Sequence, residues 1–222
     1  MERIPLRNLL NGFSPDGRHD FVQNAGAPDR QRCWDLTFNA PKSVSVMWAL
    51  APPEIQKEIE AAHKEAVARA VGYIEREAGI TRRGKGGVTK ERAALVFAAF
   101  QHFTSRDLDP HVHTHTLLIN LGLRADGTTG SIQSRDFFRA KMEAGKVYRN
   151  ELASQLQERL NVEILPEKVG FHVRGVPNDL CREFSKRRRA IESKLAKWKA
   201  TDAVSAKRAA ILSRSKKRNI PQ

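Results

Sequence analysis

The sequence is poor in cysteine: Cys33 and Cys181 are the only two in 222 residues. They stand far apart and without CxxC spacing. That excludes a disulfide framework and a cysteine zinc site and points to reduced thiols. Long apolar runs are missing too. No stretch reaches the roughly 18 consecutive apolar residues that span a bilayer, and the opening MERIPLRNLLNGFSPDG carries no apolar leader. The expected location is therefore the cytoplasm. Tyrosine is scarce, with only Tyr73 and Tyr148. Acidic residues run thin towards the C-terminal end, where residues 181–222 hold 14 lysines and arginines against 3 acidic residues.

What the sequence does have is a core and a charge. A hydrophobic fraction of 40% with 29% charged residues excludes wholesale disorder. The formal net charge is +14, of which +11 falls in the last 42 residues. This is the electrostatic footprint of a polyanion binder. Phosphate contacts are expected from the run Lys186, Arg187, Arg188 and from Lys216 and Lys217.

The pattern along the chain predicts an α+β fold. Residues 1–30 have Gly, Pro, Asn and Asp punctuation and read mostly as loop. Cys33 to Phe38 is a short strand, and Pro41 to Leu50 a helix. Glu54 to Ala78 is the clearest helix, with Ile55, Ile59, Ala62, Ala66, Ala70 and Ile74 on one face. A loop is expected from Gly79 through Gly87. Arg92 to Phe103 then alternates, with Ala94, Val96, Ala98, Phe100 and His102 on one side. His111 to Leu123 is a second strand, joined to the first by turn-forming residues 104–110. Ser134 to Leu160 is a helix whose stripe takes in Phe138, Met142, Gly145, Leu152, Leu156 and Leu160. Short strands follow at 162–165 and 170–174, and the chain is helical and basic from Asn178. A core over 1–180 and a basic helical segment over 181–222 of the same domain are expected.

Four of the seven histidines lie within 14 residues: His102, His111, His113 and His115. In a strand, residues two apart share a face at about 6.6 Å. Imidazoles so spaced can converge on one cation, and the hairpin brings His102 alongside as a third ligand. Three neutral imidazoles with an open position describe a catalytic metal site. His111 shares that face, so spacing alone leaves the pairs 111/113 and 113/115 both open. His63, inside the long helix, reads as a packing or surface residue. A ligating histidine also wants an acceptor for its other ring N–H. Asp35, set in the apolar strand Trp34-Asp35-Leu36-Thr37-Phe38, is the residue for that task, because a carboxylate there is costly unless paired.

Four segments, DLTFNAPKSVSV at 35–46, TRRGKGGV at 81–88, QHFTSRDLDPHVHTH at 101–115 and FSKR at 184–187, resemble the TrwC/TraI-type (MobF) conjugative relaxases of the HUH superfamily. They occur in the same order over most of the chain. The resemblance implies an antiparallel sheet flanked by helices that nicks one DNA strand at an origin of transfer, using a tyrosine nucleophile and one divalent metal. By matching position, His102, His113 and His115 would hold the metal, which could be Mg, Mn or Zn. Asp35 would orient a metal histidine or assist tyrosine deprotonation, and Lys42 would contact a DNA phosphate. Single-stranded DNA or an origin hairpin is the implied partner, alongside other relaxosome or helicase components.

The family's nucleophilic tyrosines belong to an N-terminal motif upstream of the matching region. Tyr73 and Tyr148 sit in amphipathic helices and read as packing residues. The expectation is a relaxase domain without its tyrosine-bearing first strand, inactive alone because metal polarisation still needs a positioned nucleophile. Two other readings are a silent metal- and DNA-binding remnant and a rolling-circle replication initiator. The DLTFNAPKSVS and FSKR segments argue against the initiator.

Overall fold

The computed structural model describes residues 3–213. Lys216 and Lys217 lie outside the described residues. The elements are α1 (Arg3–Asn11), β1 (Cys33–Asn39), α2 (Lys42–Leu50), α3 (Pro53–Ala78), β2 (Ile80–Arg83), β3 (Thr89–Arg92), β4 (Ala94–Thr104) and β5 (Pro110–Leu123), then β6 (Thr129–Gly130), α4 (Ser134–Leu160), β7 (Ile164–Glu167), β8 (Gly170–Val173), α5 (Asn178–Glu183), α6 (Lys186–Trp198) and α7 (Ala203–Leu212). The main sheet has the order β1-β5-β4, and β6 pairs antiparallel with β5. Two antiparallel two-stranded ribbons, β2-β3 and β7-β8, complete the strands. None of the described helices is long and apolar enough to cross a membrane.

The long helices follow from local chemistry. Pro53 opens α3 at the position where its missing N–H costs nothing. Glu54 in the first turn and Arg76 in the last complement the helix dipole. Ile59, Ala62, Ala66, Ala70 and Ile74 are all fully buried, the face the spacing predicts. The stripe of α4 is the expected one in its second half, where Leu152 and Leu156 are buried, and differs in its first half. Phe138 and Met142 are 49% and 70% exposed, whereas Phe137, Ala140, Ala144, Tyr148, Leu152 and Leu156 are buried. Phe137 and the small Ala140 and Ala144, rather than Phe138 and Met142, mark the inward face of its first half.

Three further expectations are corrected. Arg3–Asn11 is helical, and its Leu6, Leu9 and Leu10 pack against the buried Val22, Ile119 and Leu121. The segment after Gly79 forms the ribbon β2-β3 instead of a loop, with Ile80 opposite Arg92 and Arg83 opposite Thr89. Its turn carries Gly84, Gly86 and Gly87 at φ 81°, 74° and 66°, backbone angles that residues with a Cβ rarely adopt. Finally, β4 does not keep a two-residue period: Leu95 and Ala98 are buried while Phe100 is 41% exposed.

The chain forms two compact units. One comprises residues 1–38, 63–101 and 114–155. Its core includes Phe38, Ile74, Leu118, Ile119, Phe137 and Leu152, with the Phe38 and Tyr148 rings 5.3 Å apart. The other comprises residues 39–62, 102–113 and 156–222. There Val44, Val46, Ile59, Val112, Leu156 and Val173 are buried, and Trp48 stacks on Phe103 at 4.6 Å.

Candidate metal centre

Strand β5 runs with a strict inside–outside alternation at its start: Val112, Thr114 and Thr116 are buried, while His111, His113 and His115 are half-buried. The turn into it is tight. Ser105 N donates to Asp109 O at 2.9 Å, and Leu108 takes a left-handed φ of 63°. Its neighbour β4 supplies His102. One ring nitrogen from each of His102, His113 and His115 lies within 4.8 Å of the others. The His102 and His113 rings stack at 5.2 Å.

Two of the three rings have their proton placed by a partner. His115 Nδ1 donates to the Asp35 carboxylate, 3.0 Å from Oδ1 and 2.9 Å from Oδ2. His113 Nδ1 donates to the backbone carbonyl of His111 at 2.8 Å. In both rings Nε2 then carries the lone pair, the arrangement a metal-ligating imidazole requires. Metal–nitrogen bonds of about 2.0–2.1 Å put tetrahedral donors about 3.3 Å apart. The three ring nitrogens, within 4.8 Å of one another, stand near that spacing, and the donor set fits a divalent cation.

His111 takes another place. Its ring stacks on that of His113 at 4.4 Å. Burial first, then the charges of His113, Lys42 and Arg187, push its pKa down to about 4.

The basic residues divide into two kinds. Lys42, expected to face a phosphate, instead donates its ammonium to the carbonyls of Pro110 at 2.8 Å and Phe184 at 2.9 Å. Burial holds its pKa below the ordinary lysine value, with Asp109 opposing. Lys186 is likewise anchored. Its backbone N–H donates to Asp109 Oδ2 at 2.8 Å, and its ammonium sits 3.3 Å from Oδ1 of the same buried carboxylate. Arg187 is half-buried near His111, and Arg188 is exposed and paired with Glu192 at 2.6 Å.

One basic surface was missed from sequence. A cleft of about 730 Å³ is lined by Arg82, Arg83, Gly84, Gly87, Arg124 and Gln133, among others. Counting charge over long segments hid it, because Glu91 and Asp126 offset two of these three arginines. The RRGKGG run was the available signal.

The tyrosines are packing residues in the structure. Tyr148 is 2% exposed, its hydroxyl 2.8 Å from His63 Nδ1, and burial raises its pKa far above the usual phenol value. Tyr73 is half-buried on α3 under the Arg76 guanidinium.

A mixed α+β domain with a histidine centre backed by an aspartate defines a class, and the profile of the TrwC relaxase family matches residues 1–222. The chain belongs to the TrwC relaxase family, among the MobF conjugative relaxases. It is 34% identical over 206 residues to the Multifunctional conjugation protein TraI of Escherichia coli, covering 86% of this chain. The chain spans only 11% of that protein's length. A solved structure of the conjugative relaxase TrwC with oriT DNA, metal-free, has a TM-score of 0.88 at 31% identity, covering 100% of this chain and 79% of that one. The metal-bound structure of TrwC with oriT DNA has a TM-score of 0.87 at 31% identity, covering 100% and 78%.

Proposed function

We propose that this chain grips origin-of-transfer DNA as a single strand or hairpin and holds one divalent cation through His102, His113 and His115, as part of a conjugative strand-nicking apparatus. The observation that carries the reading is the convergence of three ring nitrogens, two with their tautomers set by Asp35 and by the His111 carbonyl. The metal-bound and DNA-bound TrwC structures support it. When bound, the cation polarises phosphate oxygens and stabilises the charge that builds on them.

The chain's own residues would then divide the work. Asp35 keeps the His115 proton on Nδ1. His111, depressed in pKa, adds no positive charge beside the cation near neutral pH. Arg187 and Arg188 neutralise phosphates, while Lys42 and Lys186 brace the helix that presents them. The arginine-lined cleft beside the β2-β3 ribbon offers a second phosphate surface. Neither tyrosine of this sequence serves as nucleophile, so these 222 residues bind DNA and metal without forming a covalent DNA adduct.

The test is binding of a labelled hairpin oligonucleotide with a single-stranded extension, titrated against salt, with manganese calorimetry alongside. Salt-sensitive DNA binding and one cation per chain are expected. Failure to bind either partner would overturn the reading.

A further inference from the structure

Behind the metal-ligating face of β5 lies a fully buried histidine that no part of the metal chemistry uses. His63, on α3, has 0% exposure. Its Nε2 is 2.8 Å from Thr114 Oγ1 and its Nδ1 is 2.8 Å from Tyr148 Oη. A neutral imidazole has one donor and one acceptor nitrogen, whereas a hydroxyl can serve as either. Whichever nitrogen holds the proton, one hydroxyl accepts and the other donates, so the chain Thr114–His63–Tyr148 is satisfied throughout.

The place of the threonine gives this chain its meaning. Thr114 stands between His113 and His115 in sequence, and its side chain points to the opposite face of the strand. A bond to Thr114 from behind fixes the one peptide unit on each side of it, and those two units set the directions of both histidines. The next inward residue, Thr116, adjoins His115 just as closely. Its buried hydroxyl has no hydrogen-bond partner among the described residues. One threonine flanking His115 is therefore tethered and the other is not.

We propose that His63 is a positioning residue for the metal centre: through Thr114, and held in turn by Tyr148, it pre-sets the backbone between His113 and His115 so that their rings converge on the cation. The proposal rests on the metal reading given above and extends it to residues that never touch the ion.

Two matched substitutions test it. Thr114→Val and Thr116→Val make the same chemical change on either side of His115, but only the first breaks the bond to His63. Manganese affinity should fall several-fold in Thr114→Val and in His63→Leu, towards the about 10- to 100-fold seen when a ligand's direct partner is lost. It should stay at the wild-type value in Thr116→Val. His63→Gln, which keeps a donor and an acceptor, should recover part of the loss. The double variant should lose no more than the worse single one, because both act through one bond. In the metal-free chain, amide hydrogen exchange over 112–116 should speed up in Thr114→Val and His63→Leu but not in Thr116→Val.

Equal affinity in Thr114→Val and wild type, or equal losses in the two valine variants, would overturn the positioning role. Equal manganese binding by wild type and His113→Ala would instead overturn the metal reading beneath it.

Discussion

Both carboxylate oxygens of Asp35 face one nitrogen of His115, at 3.0 and 2.9 Å, and the hydroxyl of Thr37 stands 3.3 Å from the same atom. Asp35 and Thr37 are two apart on β1, so one strand face presents both groups to one ring. The consequence is a fixed tautomer on a half-exposed histidine.

Replacing Asp35 with Ala should therefore weaken divalent-cation binding by about 10- to 100-fold without unfolding the chain. Its side chain is 49% exposed, so little packing is lost. Calorimetry with manganese, paired with a thermal melt, separates the two effects. An affinity unchanged by the substitution would remove Asp35 from the site.

His113 and His111 should behave oppositely. His113→Ala takes away a central donor and should abolish stoichiometric cation binding. His111→Ala keeps the backbone carbonyl that orients His113 and should change affinity little. The reverse order in a titration would reassign the ligands to the other histidine pair.

Salt dependence reports phosphate contacts. Each one lost should reduce the slope of log affinity against log salt by about 1. Arg187→Ala and Arg188→Ala are expected to do this, whereas Lys42→Ala should lower the melting temperature first, since its ammonium is committed to two carbonyls. An unaltered slope in the arginine variants would move phosphate binding elsewhere, with the cleft around Arg82 and Arg124 next to be tested.

Tyr148→Phe removes the hydroxyl bonded to His63 Nδ1, a loss of about 0.5–1.5 kcal/mol of stability. Chemical denaturation measures it directly. Neither this variant nor Tyr73→Phe should alter what the chain does to DNA, because no denaturant-resistant protein–DNA band is expected from the chain itself. A band that vanished in either variant would place the nucleophile within these residues.

The sequence made some of this visible and hid the rest for physical reasons. An HxH pair in a strand declares its shared face through a two-residue period, and a short polar turn brings His102 back beside it. The long α3 helix is equally plain, because its apolar spacing is unbroken. The ribbon β2-β3 was hidden because its residues are mostly charged and its turn Gly-rich, which leaves no alternating apolar pattern to read. Helix α1 was hidden by the turn residues that crowd the segment after it. His63 showed no sign of its bond to Thr114, since a lone histidine on a helix reveals nothing about a threonine 51 residues away. For Lys42 the motif was legible, while the two carbonyls that hold its ammonium were not.

Lys42 binds the Pro110 and Phe184 residues only by their carbonyl oxygens, and every amino acid brings one. For these two bonds any side chain at 110 or 184 serves, while position 42 must supply a compact cationic head on a long stem, which arginine's planar fork does not match. Divergence should thus run unevenly through this junction. Positions 110 and 184 can drift as far as their own packing permits, and position 42 cannot. A saturation library selected for folding would show a narrow tolerance at one end of each bond and a broad one at the other.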